Sequence, residues 1–369
     1  GVVCKGFSLA GVRNPFDDRN YLYISQLKLV EKLRPKISII ENVPGMKNMR
    51  ILVNKSNNGP ISKNLKESLK TSINDESVLD LCKKIDKVIN EHKLNRGKLI
   101  AINKKISNKK SILKKEKKTS DEELKNLMKE KEKLEEVKTK LVEQRKKLEE
   151  EIEIHKYSVI EDIEMRYNEM KYKTYKKVLM CSNYGGYTNR QRLIIIAIRD
   201  DIHKIKGEWE YLKITHSDKK EDKLPSLLTV RDALNKLDDE WNNEENDIDN
   251  KPMNHRAQTV EKFKKIKAGI KAEGAFSSRG TSCRLAWDKP APTLVPGHSS
   301  FQIHPEKHRS ITVREGALIT GFPNDKEKKI LYKFEGSHSD RCMQIGNAIP
   351  VQLGEAIAKN VKKYLGRKK

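Results

Sequence analysis

Tyr184-Gly-Gly-Tyr-Thr-Asn-Arg-Gln-Arg-Leu-Ile-Ile-Ile-Ala-Ile198 holds a glycine pair, two arginines one residue apart and an aliphatic run, in that order. The run Leu193 to Ile198 is short and rich in β-branched residues, which predicts a central strand buried on both faces. A second run, Ile37-Ser-Ile-Ile40, follows Pro35 and a segment, 24–34, in which Ile24, Leu27, Val30 and Leu33 share one helical face. This predicts a helix feeding a buried strand that ends at Glu41-Asn42-Val43-Pro44-Gly45. Ligands of open α/β sheets bind at the carboxyl ends of parallel strands, so Glu41 is expected where an active-site acid would stand. Tyr172 to Ser182 has strand character too. Residues 311–322 and 350–364 read as helices, the second with Val351, Leu353, Ile357, Val361 and Leu365 as apolar members.

Between about 55 and 170 the composition shifts to Lys, Glu and Asn with scattered aliphatics. Val78, Leu81, Ile85, Val88, His92, Asn95, Leu99, Ile102 and Ile106 step by three and four, a heptad seam with two polar interruptions. A second seam runs Leu127, Leu134, Leu141, Leu148, Ile152, Val159 and Ile163. Ser120 and Glu123 between them have the spacing of a capping box. The expectation is an antiparallel helical hairpin, an interaction arm or spacer rather than a catalytic element.

The formal net charge of the 369 residues is +25, which favours a polyanionic partner through steering and counterion release. Lysine enrichment by base composition alone is the competing explanation. Cys4, Cys82, Cys181, Cys283 and Cys342 are widely spaced and odd in number, with no metal-ligand pairing. A reduced, cytoplasmic setting and no metal site are expected. No apolar stretch reaches the length of a membrane span, so no membrane association is expected.

Cys4 sits in Gly1-Val-Val-Cys-Lys-Gly-Phe-Ser-Leu-Ala-Gly11, a small-residue, glycine-rich context suited to a nucleophile at a strand-to-loop junction. After it come Glu41-Asn-Val, Asn189-Arg-Gln-Arg192, His304-Pro305, Arg309-Ser-Ile-Thr-Val-Arg-Glu315, Gly321-Phe-Pro323 and Gln344-Ile-Gly-Asn-Ala-Ile-Pro350. This ordered series resembles the DNA cytosine-5 methyltransferase family. Any one block arises easily by chance; the ordered set does not. Two positions depart from the family pattern: Val3 stands where the family has Pro and Lys5 where it has Gln.

The resemblance implies a transfer of methyl from S-adenosylmethionine to C5 of a cytosine flipped out of double-stranded DNA. Cys4 would add as thiolate to C6, and Glu41 would hold a proton at N3, with burial at its strand end favouring the protonated carboxyl. Arg190 and Arg192 match the Arg-x-Arg block, whose guanidinium forks would hold cytosine O2 and the adjacent backbone. Leu22, Asn347 and Ala348 match positions near the cofactor. Thr293, in Ala291-Pro-Thr-Leu294, would position the flipped nucleotide, and Ser8, Arg279 and Arg284 would contact DNA.

The implied fold is α/β, a Rossmann-like methyltransferase sheet lacking its first strands, with a helical hairpin insertion and a mixed target-recognition region. The expected divisions are 1–54, the hairpin 55–170, 171–200, target recognition 201–304, and 305–369. The family's glycine-rich cofactor loop and ribose-binding acid have no match. The sequence therefore reads as N-terminally incomplete, inactive and weak in cofactor binding by itself, and belonging to a restriction-modification system. A split enzyme completed by another N-terminal polypeptide remains an alternative. So does a non-catalytic DNA-binding or scaffolding relic that recruits a partner through the hairpin.

Overall fold

The computed structural model describes residues 21–52, 76–115, 120–153, 156–237, 247–270, 283–294, 301–325 and 330–366. In chain order its elements are α1 (Leu22–Leu33), β1 (Ile37–Asn42), β2 (Arg50–Leu52), α2 (Glu76–Lys115), α3 (Glu122–Glu153), β3 (Lys156–Ser158), α4 (Val159–Glu169), β4 (Tyr172–Met180), β5 (Gln191–Arg199), α5 (Asp200–Lys206), α6 (Val230–Leu234), α7 (Ala257–Lys264), α8 (Val313–Thr320), β6 (Asn324–Asp325), β7 (Ile330–Leu331), α9 (His338–Asn347) and α10 (Val351–Gly366). They fall into two compact units, one of residues 34–44 and 171–369, the other of 2–33 and 45–170.

In the first unit β5 is the middle strand of a three-stranded sheet ordered β1-β5-β4. Leu193 through Ile198 are all buried, as the unbroken aliphatic run predicts, and each isoleucine contributes about 2 kcal/mol of burial. Both neighbours run antiparallel to β5, with Glu41 opposite Ile194 and Leu179 opposite Arg192. This corrects the expectation of a parallel sheet for the described strands: β4 and β5 form a hairpin, and β1 pairs with its return strand.

One face of β5, carrying Ile194, Ile196 and Ile198, packs with Leu353 and Tyr364 of α10 and with Trp209. The segment 207–211 straps the two together: Tyr364 donates to the Gly207 carbonyl at 2.7 Å, Asn360 Nδ2 to the Glu210 carbonyl at 2.8 Å, and Tyr211 to the Ile194 carbonyl at 2.9 Å.

A second core gathers α6, α8, α9 and the segments around Leu285, Ala291 and Phe301. Gly316 is required there, because a Cβ would sit 2.9 Å from the Phe301 ring. Buried charges fix α8 and α9 to the segment before them. Arg314 Nε lies 2.6 Å from Asp247, and Arg341 Nη1 lies 2.7 Å from Asp249. The end of the acidic stretch 238–249 thus supplies internal counter-charges, a role its composition does not reveal.

In the second unit α2 and α3 form the expected antiparallel hairpin. Ile85, Val88, Leu99, Ile102 and Ile106 are buried along α2, and Leu141 and Ile152 along α3. Asn95, one of the polar interruptions, is buried and donates to the Leu134 carbonyl at 2.9 Å, which pins the register. Two details differ from expectation. Asp121, not Ser120, caps α3, its Oδ1 accepting from Leu124 N at 2.8 Å. Val159 and Ile163 belong to α4 rather than to the α3 seam, because β3 pairs with β2 and Ser158 caps a new helix by accepting from Glu161 N. In that region Tyr23 donates to Asp162 at 2.6 Å, and Arg166 Nε lies 2.7 Å from the same oxygen.

Near the second core of the first unit, His304 is buried against Trp287 and accepts at Nδ1 from the Glu306 and Lys307 amides. Burial pushes its pKa down to about 4, against the attraction of Glu315 and helped by Arg309, Lys307 and Arg284. The folded value is below the unfolded one, so its contribution is complete above about pH 6.5 and is lost as pH falls toward 4. The urea midpoint should decline over that window, and His304→Asn, which keeps the acceptor without the titration, should flatten the decline. An unchanged pH profile in that variant would contradict the assignment.

Candidate active site

Arg190 immediately precedes β5 and Arg192 is its second residue; two apart on an extended chain, they lie on one face, that of Ile194 and Ile196. The turn ahead of them is built on Gly185, with φ of 79°, and on Gly186, where a Cβ would sit 2.2 Å from Cys181 Sγ. The glycine pair is therefore a steric requirement that delivers the arginines to the strand.

Glu41, directly opposite Ile194, shares that face and is diagonal to Arg192. Arg192 Nε lies 2.6 Å from Glu41 Oε1. The contact is a close ion pair without an aligned Nε hydrogen bond, since that N–H does not point at the oxygen. Arg192 Nη1 donates to the Gln191 carbonyl at 2.8 Å. Arg192 is buried, whereas the Glu41 side chain keeps 30% of its surface. The acid is the open member of the pair, not the buried group expected from a strand end.

Arg190 is buried and differently engaged. Its Nη1 donates to the Leu294 carbonyl at 3.2 Å and its Nη2 to the Gly346 carbonyl at 2.6 Å. The first partner closes the Ala291-Pro-Thr-Leu294 turn and the second lies in the last turn of α9. The turn is also laced to the arginine segment through Asn189 N to the Ala291 carbonyl at 2.7 Å and Ala291 N to the Tyr187 carbonyl at 2.8 Å. Gln302 Nε2 donates to the Thr293 carbonyl at 2.9 Å. These contacts make Arg190 a joint between three sequence blocks. The burial of Arg190 and the Gln302 contact were missed by sequence reasoning, and no local signal distinguishes a clamping arginine from a substrate-holding one.

Arg284 is buried and donates to the carbonyls of Phe263, Ile266, His304 and Lys307 at 2.7 to 2.9 Å, so it organises its own loop. Thr293 is half-buried in its turn. Asn347 is exposed at the end of α9, and Ala348 caps that helix. Leu22 is exposed at the start of α1 in the other unit. Cys4, Ser8 and Arg279 lie outside the described residues.

The thiol adjoining the arginines is inert: burial pushes Cys181 up to about 12 despite Arg190 and Arg192. Cys342 is likewise pushed up to about 11 by burial. Neither of these two thiols is poised as a nucleophile at neutral pH. Among the described residues no cluster of three His, Cys, Asp or Glu could hold a metal, and no helix is long and apolar enough to cross a membrane. The residues expected near a cofactor lie in both units, Asn347 and Ala348 at the end of α9 and Leu22 in α1.

The two arginines should therefore separate in mutation. Arg190→Ala strands two buried carbonyls and should cost about 3 kcal/mol, read as a lower urea midpoint by tryptophan emission. Arg192→Ala loses one ion pair to a part-exposed partner and should cost less than half as much. Equal losses would contradict the division of roles.

Comparison with known proteins agrees with the blocks. The sequence model described as C-5 cytosine-specific DNA methylase matches residues 1–167 and 150–363. The type II methylase M.HgiDII of Herpetosiphon aurantiacus is 28% identical over 223 residues, 53% of this chain and 57% of the relative. The type II methyltransferase M.Eco47II of Escherichia coli is 31% identical over 204 residues, 50% of this chain and 44% of the relative. The type II methyltransferase M.Sau96I of Staphylococcus aureus is 27% identical over 199 residues, again 44% of the relative. The alignments thus span about half the length of the curated relatives. With a family match that covers most of its length, the chain belongs to the C-5 cytosine-specific DNA methylase family.

Proposed function

We propose that the chain is the catalytic body of a DNA cytosine-5 methyltransferase of a type II restriction-modification system. The observation that carries the reading is the Glu41–Arg192 pair, 2.6 Å apart at one end of a sheet face, beside the turn and helix end that Arg190 fixes. A carboxyl group next to a fixed guanidinium suits a pyrimidine edge that needs a proton at N3 and a donor at O2.

In this reading Cys4, as thiolate, forms a bond to C6 of the flipped cytosine while Glu41 delivers its proton to N3. The ring electrons then reside at C5 as an enamine. Arg192, held by Glu41, keeps the base in register through O2. After C5 gains its methyl group its proton passes to solvent water, the C6–S bond breaks with its electron pair returning to the Cys4 thiolate, and N3 returns its proton to Glu41. S-adenosylmethionine, when bound, would supply the electrophilic methyl group. Burial holds Cys181 and Cys342 in the unreactive thiol form.

Trapping on duplex DNA containing 5-fluorocytosine tests the reading, because fluorine at C5 blocks the final elimination. The chain is assayed with S-adenosylmethionine, both by itself and mixed with a polypeptide carrying a cofactor-binding half. A denaturation-stable adduct in either mixture, abolished by Cys4→Ala and reduced about 100-fold or more in rate by Glu41→Gln, is the expected result. No adduct in any mixture, or an adduct that survives Cys4→Ala, would falsify it and favour the non-catalytic DNA-binding alternative.

A further inference from the structure

We infer that the distal half of α2 is a second DNA-contacting surface, which grips the phosphate backbone independently of the bases. The inference rests on the proposed action on DNA and extends it to the hairpin arm. Between Glu91 and Glu116 the sequence holds nine basic residues, Lys93, Arg96, Lys98, Lys104, Lys105, Lys109, Lys110, Lys114 and Lys115, and no acidic one. Lys109 pairs with Asp121 and Glu123 at the hairpin end. Lys93, Arg96, Lys98, Lys104, Lys105 and Lys110 are exposed, and none has an ion-pair partner among the described residues.

The facing helix is the internal control. In α3 eleven acidic and nine basic residues are interspersed, with short-range pairs such as Lys138–Glu135 and Arg145–Glu149. A spacer made soluble by charge would look like α3 on both sides. A bias toward lysine from base composition would admit glutamate as freely, as α3 demonstrates. Instead one helix concentrates positive charge from Lys93 to Lys115 with no acidic residue between, a stretch about 35 Å in length. That arrangement repels itself in the free protein and is relieved by a polyanion with closely spaced phosphates. The seam and Asn95 face α3, so the hairpin is held together by contacts that do not use the exposed basic residues.

The test compares two charge variants of the full chain by equilibrium binding to a duplex across a salt series. Lys98, Lys104, Lys105 and Lys110, all changed to Gln on α2, should weaken binding at least tenfold at low salt. The slope of log affinity against log salt should become shallower by about 3. The matched set on α3, Lys125, Lys129, Lys133 and Lys140 to Gln, should change the slope by less than half as much, with helical circular dichroism unaltered in both. Equal effects of the two sets would show that net charge alone matters, and no effect of the α2 set would show that the arm does not touch DNA; either overturns the inference. Failure of the unmodified chain to bind duplex at all would instead remove the proposed function on which it rests.

Discussion

A single buried guanidinium, Arg190, ties together parts of the chain that are 104 and 156 residues away from it: the turn ending at Leu294 and the end of α9 at Gly346. Two hydrogen bonds from a charged donor to buried carbonyls are strong contacts, and each carbonyl would be costly to leave unmet. Arg192 follows two residues later on the same face, so the placement of Arg190 also sets the start of β5. The strand's aliphatic run then anchors that setting in the core under α10. The Glu41–Arg192 pair is the open end of a rigid arrangement whose closed end is Arg190.

Charge is used in three distinct ways in this chain. Arg314 and Arg341 are neutralised internally by Asp247 and Asp249, and Arg284 is engaged mainly by backbone carbonyls. Glu41 and Arg192 form a pair with one member open to solvent. Lys93, Arg96, Lys98, Lys104, Lys105 and Lys110 of distal α2 are exposed without an ion-pair partner among the described residues, which is what the inferred polyanion contact uses. Net charge alone does not separate these cases; burial and local partners do.

The fold was legible wherever hydrophobic period was strong. Leu193 to Ile198 read correctly as a central strand, Ile37 onward as another, and the α2 seam down to its buried Asn95. Strand direction was not legible, since an aliphatic run buried on both faces looks the same in parallel and antiparallel ladders. The cap of α3 was misplaced by one residue because Ser120 and Asp121 both have capping side chains. At the site, the blocks singled out Glu41 and Arg192, which lie 2.6 Å apart, and Arg190 and Arg284, whose burial and carbonyl partners no block reveals. An arginine's sequence context tells little about whether its donors face a carbonyl or a ligand, because that depends on segments more than 100 residues away.

Amide hydrogen exchange of Arg190→Lys measures the central coupling directly, since a lysine cannot bridge both carbonyls as the fork does. If Arg190 joins the blocks, exchange should accelerate together at Asn189, Ala291 and Ala348, whose amides close the turn and the end of α9, while Ile195 to Ala197 within β5 stay protected. Acceleration at only one of the two segments, or at neither, would contradict the account.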